Sequence, residues 1–342
     1  MKWGGGLDGL FVNEVKVFYG FNDSPLDRML AAFSNLDDSD YLVRIDGLHF
    51  AIDMNDLVSM YSFAKDNKFD CVKFPDDFPI HFTFDVYKIG ALRLMKQLLS
   101  SNDDIFKVHP KYFMISHPEI FNFSYFSNPT IYNDIKLNKL RATYHDVFQE
   151  RQGSITNRIR SGDQLNFHYE IAAKYILNKD YHCLDLASGE GYGSVILSEF
   201  SNYVIGGDYS IDVIQKAKEL HAENKKLFFQ VEDATNTSFP NNQFDLITSM
   251  ETLEHVNNEN LFMAEMKRIL KPNGVLIIST PQNSLGHIPM NNNHFKEYSL
   301  HQLIELCEKY FQIEKIYGIK QGRVILENNN LGTNTLIVLT NK

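Results

Sequence analysis

From residue 164 onward, short apolar runs alternate with longer stretches in which apolar residues recur every three or four positions. The runs Cys183–Ala187, Tyr203–Gly207, Leu227–Val231, Phe244–Met250 and Val275–Thr280 have the length and composition of buried strands. Helical spacing falls between them at Ser194–Phe200, Ile211–Ala222 and Glu259–Leu270. Such alternation predicts an α/β fold: a mostly parallel sheet with helices on both faces. The LKPNG segment, Leu270–Gly274, reads as a helix stop and a turn into the next strand. After a helix at Leu300–Tyr310, Gln312–Tyr317 and Thr335–Thr340 read as two final strands.

The first 145 residues have a different texture. Helical periodicity predicts helices at Leu26–Phe33, Met54–Ala64 and Ile89–Leu99, with apolar runs at Tyr41–Ile45 and Cys71–Phe74. The Phe-rich stretch Phe113–Phe126 lacks interleaved Arg or Lys, so it reads as core rather than as a stacking platform for bases. A polar connector, Gln149–Asp163, carries Gly153, Ser154, Ser161 and Gly162. It predicts two domains, residues 1–148 and 149–342. The runs Asn291–Asn293 and Asn328–Asn330 read as loops.

The densest chemical signal is Cys183-Leu-Asp-Leu-Ala-Ser-Gly-Glu-Gly-Tyr-Gly-Ser194, a buried strand that runs into Gly189, Gly191 and Gly193 and then a helix. Glycines there let the backbone turn tightly, and the helix N-terminus offers unpaired N–H groups. The spacing is G-x-G-x-G, whereas the dinucleotide fingerprint is G-x-G-x-x-G. The next strand ends in Gly207-Asp208, placing a carboxylate to accept from both hydroxyls of a ribose. The third ends in Glu232-Asp233-Ala234, from which Asp233 can face an adenine amino group. All three features fall at the carboxyl ends of adjacent strands, where open α/β sheets bind ligands.

On these residues, 181–281 resemble a class I methyltransferase that uses S-adenosylmethionine (SAM). LDLASGEGYGS stands as the first motif, GGDYS as the second and EDAT as the third, followed by FDLITSMETLEHV and LKPNGVLIISTP. The branch that methylates hydroxyls of glycans and small metabolites is the most similar. Glu150-Arg151 and FHYEIAAKYI resemble its entry segment, with His168 where an arginine is usual. NNNHFKEY resembles its N-P-x-H-x-x-E-[YF] segment, with Asn292 in place of the proline. The resemblance implies a Rossmann-like sheet of seven strands, the last antiparallel. It also implies a SAM-binding set of Asp185, Ala187, Gly189, Gly191, Asp208, Tyr209, Asp233, Ala234 and Glu251.

An alcohol acceptor is a weak nucleophile and needs a base, or a metal that lowers its pKa. Glu251, Glu254 and His255 follow the fourth strand, and one helical turn would bring them to one face. His294 and Glu297 belong to a long loop, Pro281–Tyr298, of a length that is commonly functional. In one arrangement His255 or His294 is the general base, Glu254 belongs to the catalytic group and Glu251 touches the cofactor. In another, Glu251, Glu254, His255 and His294 hold a divalent metal, which resembles the E-x-x-E-H…H-K-F-E pattern of small-RNA 2′-O-methyltransferases. In a third, Glu254 and His255 merely order the loop. His182, His221, His287 and His301 read as surface or packing residues.

The segment VFYGFNDSPLDRMLAAFSNLDDSDYLVRIDGLHFAIDMNDLVSMY resembles the middle of cytidylyltransferases that activate sugars for surface polysaccharides. Asp27-Arg28 and Val43-Arg44-Ile45 fit that pattern, as do FDCVKFPDDFP and FDVYKIGAL. The metal-binding aspartate of that family falls on Leu48 and its proline on Phe50, and a leucine cannot ligate Mg²⁺. The expectation is a smaller α/β nucleotide-sugar-transferase-like domain without transferase activity, with Asp46 as a neighbouring carboxylate.

Bulk composition adds limits. The 342 residues, 44% hydrophobic and 22% charged, suit a globular chain of about two domains. A formal net charge of −10 argues against a general nucleic-acid binder. Cys71, Cys183 and Cys307 lack metal-ligand spacing and read as reduced thiols of a cytoplasmic protein. The start, MKWGGGLDGL, lacks the apolar stretch of a signal peptide, and no window has the length of a membrane span. The expected partner is a glycan, nucleotide-sugar or other small-molecule acceptor, without membrane insertion; a homo-oligomer is compatible. The alternatives are an RNA 2′-hydroxyl or small-metabolite methyltransferase, and a non-catalytic SAM-binding scaffold for a glycan assembly enzyme.

Overall fold

The computed structural model describes residues 24–46, 52–100, 104–126, 167–284, 289, 291, 293–320, 324–325 and 330–342. They divide into two units. One comprises residues 24–46, 54–73 and 84–126; the other comprises 52–53, 74–83 and the described residues from 167 onward. The connector Gln149–Asp163 and the expected boundary at 148/149 lie outside the described residues, as do Leu48 and Phe50.

In the front unit, α1 (Pro25–Ala32), α2 (Met54–Asp66), α3 (Ile89–Leu98), α4 (Asp104–Val108) and α5 (Pro110–Ser116) accompany a four-stranded sheet. Its strands β1 (Tyr41–Arg44), β2 (Cys71–Lys73), β3 (Asp85–Lys88) and β4 (Phe123–Tyr125) run in the order β1-β3-β2-β4. Only the β2–β4 pairing is parallel among these. Phe113, Phe121 and Phe126 are buried, as expected of core residues. Lys111 Nζ donates to both oxygens of the buried Asp85 at 2.9 and 3.2 Å, and Tyr87 donates its hydroxyl to the same carboxylate. Burial, the largest single influence, pushes the Asp85 carboxyl up, but the charge and hydrogen bonds of Lys111 together with the charges of Lys73 and Arg44 outweigh it and hold Asp85 below its ordinary value. Asp46 is gripped by Arg44, whose Nε and Nη2 donate to its two oxygens at 3.0 and 3.1 Å.

The second unit opens with α6 (Phe167–Ala173) and then alternates: β5 (His182–Leu186), α7 (Tyr192–Phe200), β6 (Tyr203–Asp208), α8 (Ile211–Leu220) and β7 (Leu227–Val231). It continues with β8 (Phe244–Met250), a 3₁₀ turn at Leu253–His255, α9 (Glu259–Ile269), β9 (Leu270–Pro281), α10 (Leu300–Glu308), β10 (Gln312–Lys320), β11 (Val324–Ile325) and β12 (Asn334–Thr340). The sheet order is β11-β10-β12-β9-β8-β5-β6-β7. Strands β5 to β9 are mutually parallel, and β12 runs antiparallel to both β9 and β10. The expected seven strands are therefore present, with the two-residue β11 added at an edge.

The sheet is buried on both faces because its side chains alternate between two cores. Leu184, Ile205, Ile247, Leu276, Ile278, Ile337 and Leu339 face one core. Their neighbours Cys183, Val204, Leu246, Ile277, Leu336 and Val338 face the other. Caps delimit the covering helices. The Ser210 hydroxyl accepts from Val213 N, Asn258 accepts from two amides of α9, and Ser299 forms a reciprocal box with Gln302.

One expectation needs correction. LKPNG is not a free turn, because its chain is already counted in β9, with Leu270 paired to Phe244 before a register shift. Asn273, at φ 63°, absorbs the bend, and the Asn341 side-chain amide ties down Leu270 O at 2.9 Å and Lys271 O at 3.2 Å. Pro272 cannot donate to a ladder, which suits a position at such an irregularity.

Gly193, in the first turn of α7, lies against the Tyr169 ring; a Cβ there would stand 2.0 Å from Tyr169 Cζ. Gly193→Ala is therefore expected to cost about 1–3 kcal/mol of stability. Urea unfolding checks this, and the cost should shrink in a Tyr169→Ala background.

Candidate active site

The chain leaves β5 and returns on β6 and β7 to one side and on β8 and β9 to the other, so a topological switch falls between β5 and β8. At their carboxyl ends two non-glycine residues adopt left-handed backbone: Ala187 at φ 61° and Glu251 at φ 51°. Strain of this kind persists where the surroundings hold it, and it concentrates at functional sites.

The glycine loop is pinned from several sides. Ser188 N donates to Gly207 O at 3.0 Å, and Gly189 N donates to Asp208 Oδ2 at 3.0 Å. Gly189 has φ 55° and Gly191 φ 83°; Gly191 also caps α7, and a Cβ there would meet the Phe229 ring at 2.5 Å. His221, expected as a packing residue, stacks on Phe229 and places Nε2 2.9 Å from Glu190 O. Lys216 pairs with the Glu190 carboxylate. No local signal marks His221, because only the return of α8 brings it to the loop.

Asp185 was expected in the SAM-binding set. It is fully buried beneath the loop instead, and its carboxylate accepts from Tyr169 at 2.9 Å, Ser194 at 2.8 Å and Thr248 at 2.9 Å. Its place is that of a support under the loop, since three protein hydroxyls occupy it. Burial pushes this carboxyl up to about 6, against the pull of the three hydroxyls. His168, where the resembling branch has arginine, is buried with no partner for Nε2 among the described residues, and burial pulls it down to about 4.

The remaining expected cofactor residues lie along the carboxyl edge. Asp208 is half-buried, with one backbone N–H on each oxygen, from Gly189 and Ser210. Each carboxylate oxygen can accept twice, so capacity for two ribose hydroxyls remains. Tyr209 is 80% exposed. Asp233 is exposed and uses Oδ1 for Thr235 N and Oγ1 at 2.8 and 2.7 Å; Ala234 beside it is half-buried. A glycine loop, a helix N-terminus and two carboxylates on successive strands fit an adenosyl group.

The four residues of the expected metal set do not all meet. Glu251 turns away, accepting from Ser279 Oγ at 2.6 Å and from Asn334 Nδ2. The expected shared face fails because only Leu253–His255 forms a helical turn and Glu251 precedes it in left-handed backbone. Glu254, His255 and His294 do meet, with one donor atom from each within 4.8 Å of the others. Phe295 N donates to Glu254 O at 2.8 Å, which ties the loop to the turn after β8. The two imidazoles cross edge-to-face at 4.8 Å.

Glu254 is buried and accepts from Thr280 Oγ1 at 2.8 Å. His294 Nδ1 lies 2.7 Å from Glu297 Oε1. Glu297 is itself buried and accepts from Asn283 Nδ2 at 2.9 Å and Asn291 N at 3.2 Å. Glu297 was legible only as a loop carboxylate; its hold on His294 follows from their i, i+3 spacing once the loop folds back.

Residues 184–278 match a family described as a methyltransferase domain. A probable S-adenosylmethionine-dependent methyltransferase from Mycolicibacterium smegmatis is 28% identical over 149 residues, 42% of this chain and 57% of that one. A phosphoethanolamine N-methyltransferase from Plasmodium falciparum is 32% identical over 126 residues, 36% and 47% of the two chains. A ubiquinone biosynthesis O-methyltransferase from Pelagibacter ubique is 33% identical over 108 residues, 31% and 45%. The chain thus spans about half the length of the curated relatives it matches. With the strand order above, the second unit has the Rossmann-like methyltransferase fold. No helix among the described residues is long and apolar enough to cross a membrane.

The raised Asp185 value fixes a sign. The ionised form is the costly one in the fold, so its burden is absent below about pH 4 and full above about pH 6. Stability relative to Asp185→Asn should therefore fall by up to about 3 kcal/mol as pH rises from 4 to 7. Thermal unfolding of both proteins at matched pH values checks it; a pH-independent difference would contradict it.

Proposed function

We propose that this chain is a SAM-dependent methyltransferase acting on a hydroxyl of a sugar, in a glycan or nucleotide-sugar intermediate. The carrying observation is the convergence of the pinned glycine loop, Asp208 and Asp233 at the carboxyl ends of β5, β6 and β7. Asp208 would take the paired ribose hydroxyls, Asp233 the adenine amino group, and the strained turns at Ala187 and Glu251 the amino-acid end. When bound, the cofactor supplies a sulfonium methyl, a strong electrophile that needs alignment more than activation.

The protein's remaining task is on the acceptor, whose hydroxyl must lose a proton as the methyl arrives. Glu254 and His255, in the turn after β8, and His294, in the loop after β9, form the group suited to it. Glu297 orients His294 as an orienting carboxylate holds a catalytic imidazole. A cation held by the same group would reach the same end by lowering the hydroxyl pKa.

The relatives named for ubiquinone and phosphoethanolamine support acceptors of small size. The sugar assignment rests on the resemblance of residues 150–342 to the glycan branch and of the front unit to sugar-activating transferases. In that front unit we read a non-catalytic remnant, kept for holding substrate or a second copy. An RNA acceptor sits poorly with the net charge of −10.

Two variants separate the halves. Asp208→Ala should weaken SAM binding at least tenfold by calorimetry. His294→Ala should lower methyl transfer to a sugar acceptor by about 100-fold or more while leaving SAM affinity within twofold. Transfer from labelled SAM to a panel of sugar nucleotides, oligosaccharides, phenols and RNA reads the acceptor. Full turnover in both His255→Ala and His294→Ala would move the chemistry elsewhere. SAM binding without transfer to any class would favour the scaffold reading.

A further inference from the structure

We propose that β7 is a dimerisation edge, on which a second copy of this chain seats its own β7 antiparallel, so that the two sheets continue as one.

Among the described residues β7 is the terminal strand of the eight-stranded sheet, paired on one side to β6 and at the opposite end from β11. Val204 N donates to Lys226 O at 3.0 Å, and Glu232 N donates to Asp208 O at 2.9 Å. Backbone groups alternate sides along a strand, so Lys226, Phe228, Gln230 and Glu232 turn theirs to β6. Leu227, Phe229 and Val231 turn theirs outward. Of these outward groups only Leu227 N is engaged among the described residues, by Asn224 O at 3.2 Å. An open row of this kind is a template for another strand. Phe228 and Val231, each 47% exposed, stand on the two faces of that edge.

The residues of the strand choose its partner. Lys225-Lys226-Leu-Phe-Phe-Gln-Val-Glu232-Asp233 is complementary to itself when reversed about Phe229. An antiparallel pair with its two-fold axis there sets Lys225 opposite Asp233, Lys226 opposite Glu232 and Leu227 opposite Val231. Lys225 and Asp233 are both exposed. Phe229 meets its own copy as an outward residue, so the two exchange both N–H···O bonds. Val231 N reaches Leu227 O of the second copy, and the symmetric bond repeats it. Moving the axis to Leu227 or Val231 would keep outward groups together but lose both charge pairs. The register is therefore specified.

The aromatic surface extends in the same direction. His182 lies against Tyr203 with ring centroids 4.7 Å apart, and Tyr203 against Phe228 at 5.2 Å. The axis at Phe229 brings Phe228 of the second copy diagonally beside Phe228, within reach of an aromatic ring. The row then runs through both copies and the exposed ring is covered. Such a contact is isologous and closes at two copies. It also carries Lys225 of each copy to the edge where Asp233 of the other stands, beside the proposed adenosyl site.

Sedimentation velocity of the full chain at rising concentration tests this. With β7 only five residues long, a dimer dissociating at roughly 1–100 µM is expected, without larger species. Val231→Pro removes an outward N–H that β6 does not use, and should weaken the dimer at least about 10-fold. Lys225→Glu sets like charges opposite each other and should weaken it about 5-fold, less so in high salt. Urea unfolding of the dilute variants checks that each monomer still folds. A short bismaleimide should join copies through Phe228→Cys and not through Leu261→Cys on α9, because the native cysteines are buried. Only monomer up to roughly 500 µM would overturn the edge. So would a dimer undiminished in both Val231→Pro and Lys225→Glu, or crosslinking that ignores the cysteine's position.

Discussion

The Asp185 carboxylate takes hydrogen bonds from Tyr169 on α6, Ser194 on α7 and Thr248 on β8. Those elements surround the glycine loop, so one buried group joins the entry helix, the helix after the loop and the strand across the switch point. Its cost is visible in the carboxyl being pushed up to about 6. Three donors offset that cost, which a lone buried charge could not bear. Above it, Gly189 and Ser188 hang from Asp208 and Gly207, and His221 and Lys216 hold Glu190. The loop's shape is therefore set from beneath and from the side, with Asp208 and Asp233, the carboxylates proposed to meet the cofactor, beside it.

The proposed acceptor side follows a similar logic on a shorter scale. A backbone hydrogen bond from Phe295 to Glu254 brings the loop after β9 onto the turn after β8. Asn283 and Asn291 then steady Glu297, which steadies His294. Each side chain proposed for the acceptor site is held by a neighbour, the arrangement a site needs to keep its geometry.

Much of this was legible in the sequence for a physical reason: buried strands of a parallel sheet are continuous apolar runs, Gly189 and Gly191 occupy left-handed backbone that other residues resist, and Gly193 leaves room for the Tyr169 ring. Asp208 and Asp233 could be placed at the carboxyl ends of β6 and β7 because strand ends are readable. Asp185 was misplaced because the sequence does not say which face of β5 a residue takes, and its partners come from three distant elements. Glu251 was misgrouped because a left-handed residue breaks the helical turn that would have joined it to Glu254. That Phe229 and His221 pack against the glycine loop was not legible, because those contacts arise only when β7 and α8 pack. Leu48, Phe50 and Asn292, on which the departures from the resembling families turned, lie outside the described residues.

The account stands on an adenosyl group at the carboxyl edge of β5, β6 and β7. A crystal structure of the chain grown with S-adenosylhomocysteine tests it most directly. Density for the ribose against Asp208, with the adenine beside Asp233 and the amino-acid end by Ala187, is the predicted result. The nucleoside bound elsewhere, or an empty edge at saturating ligand, would contradict it.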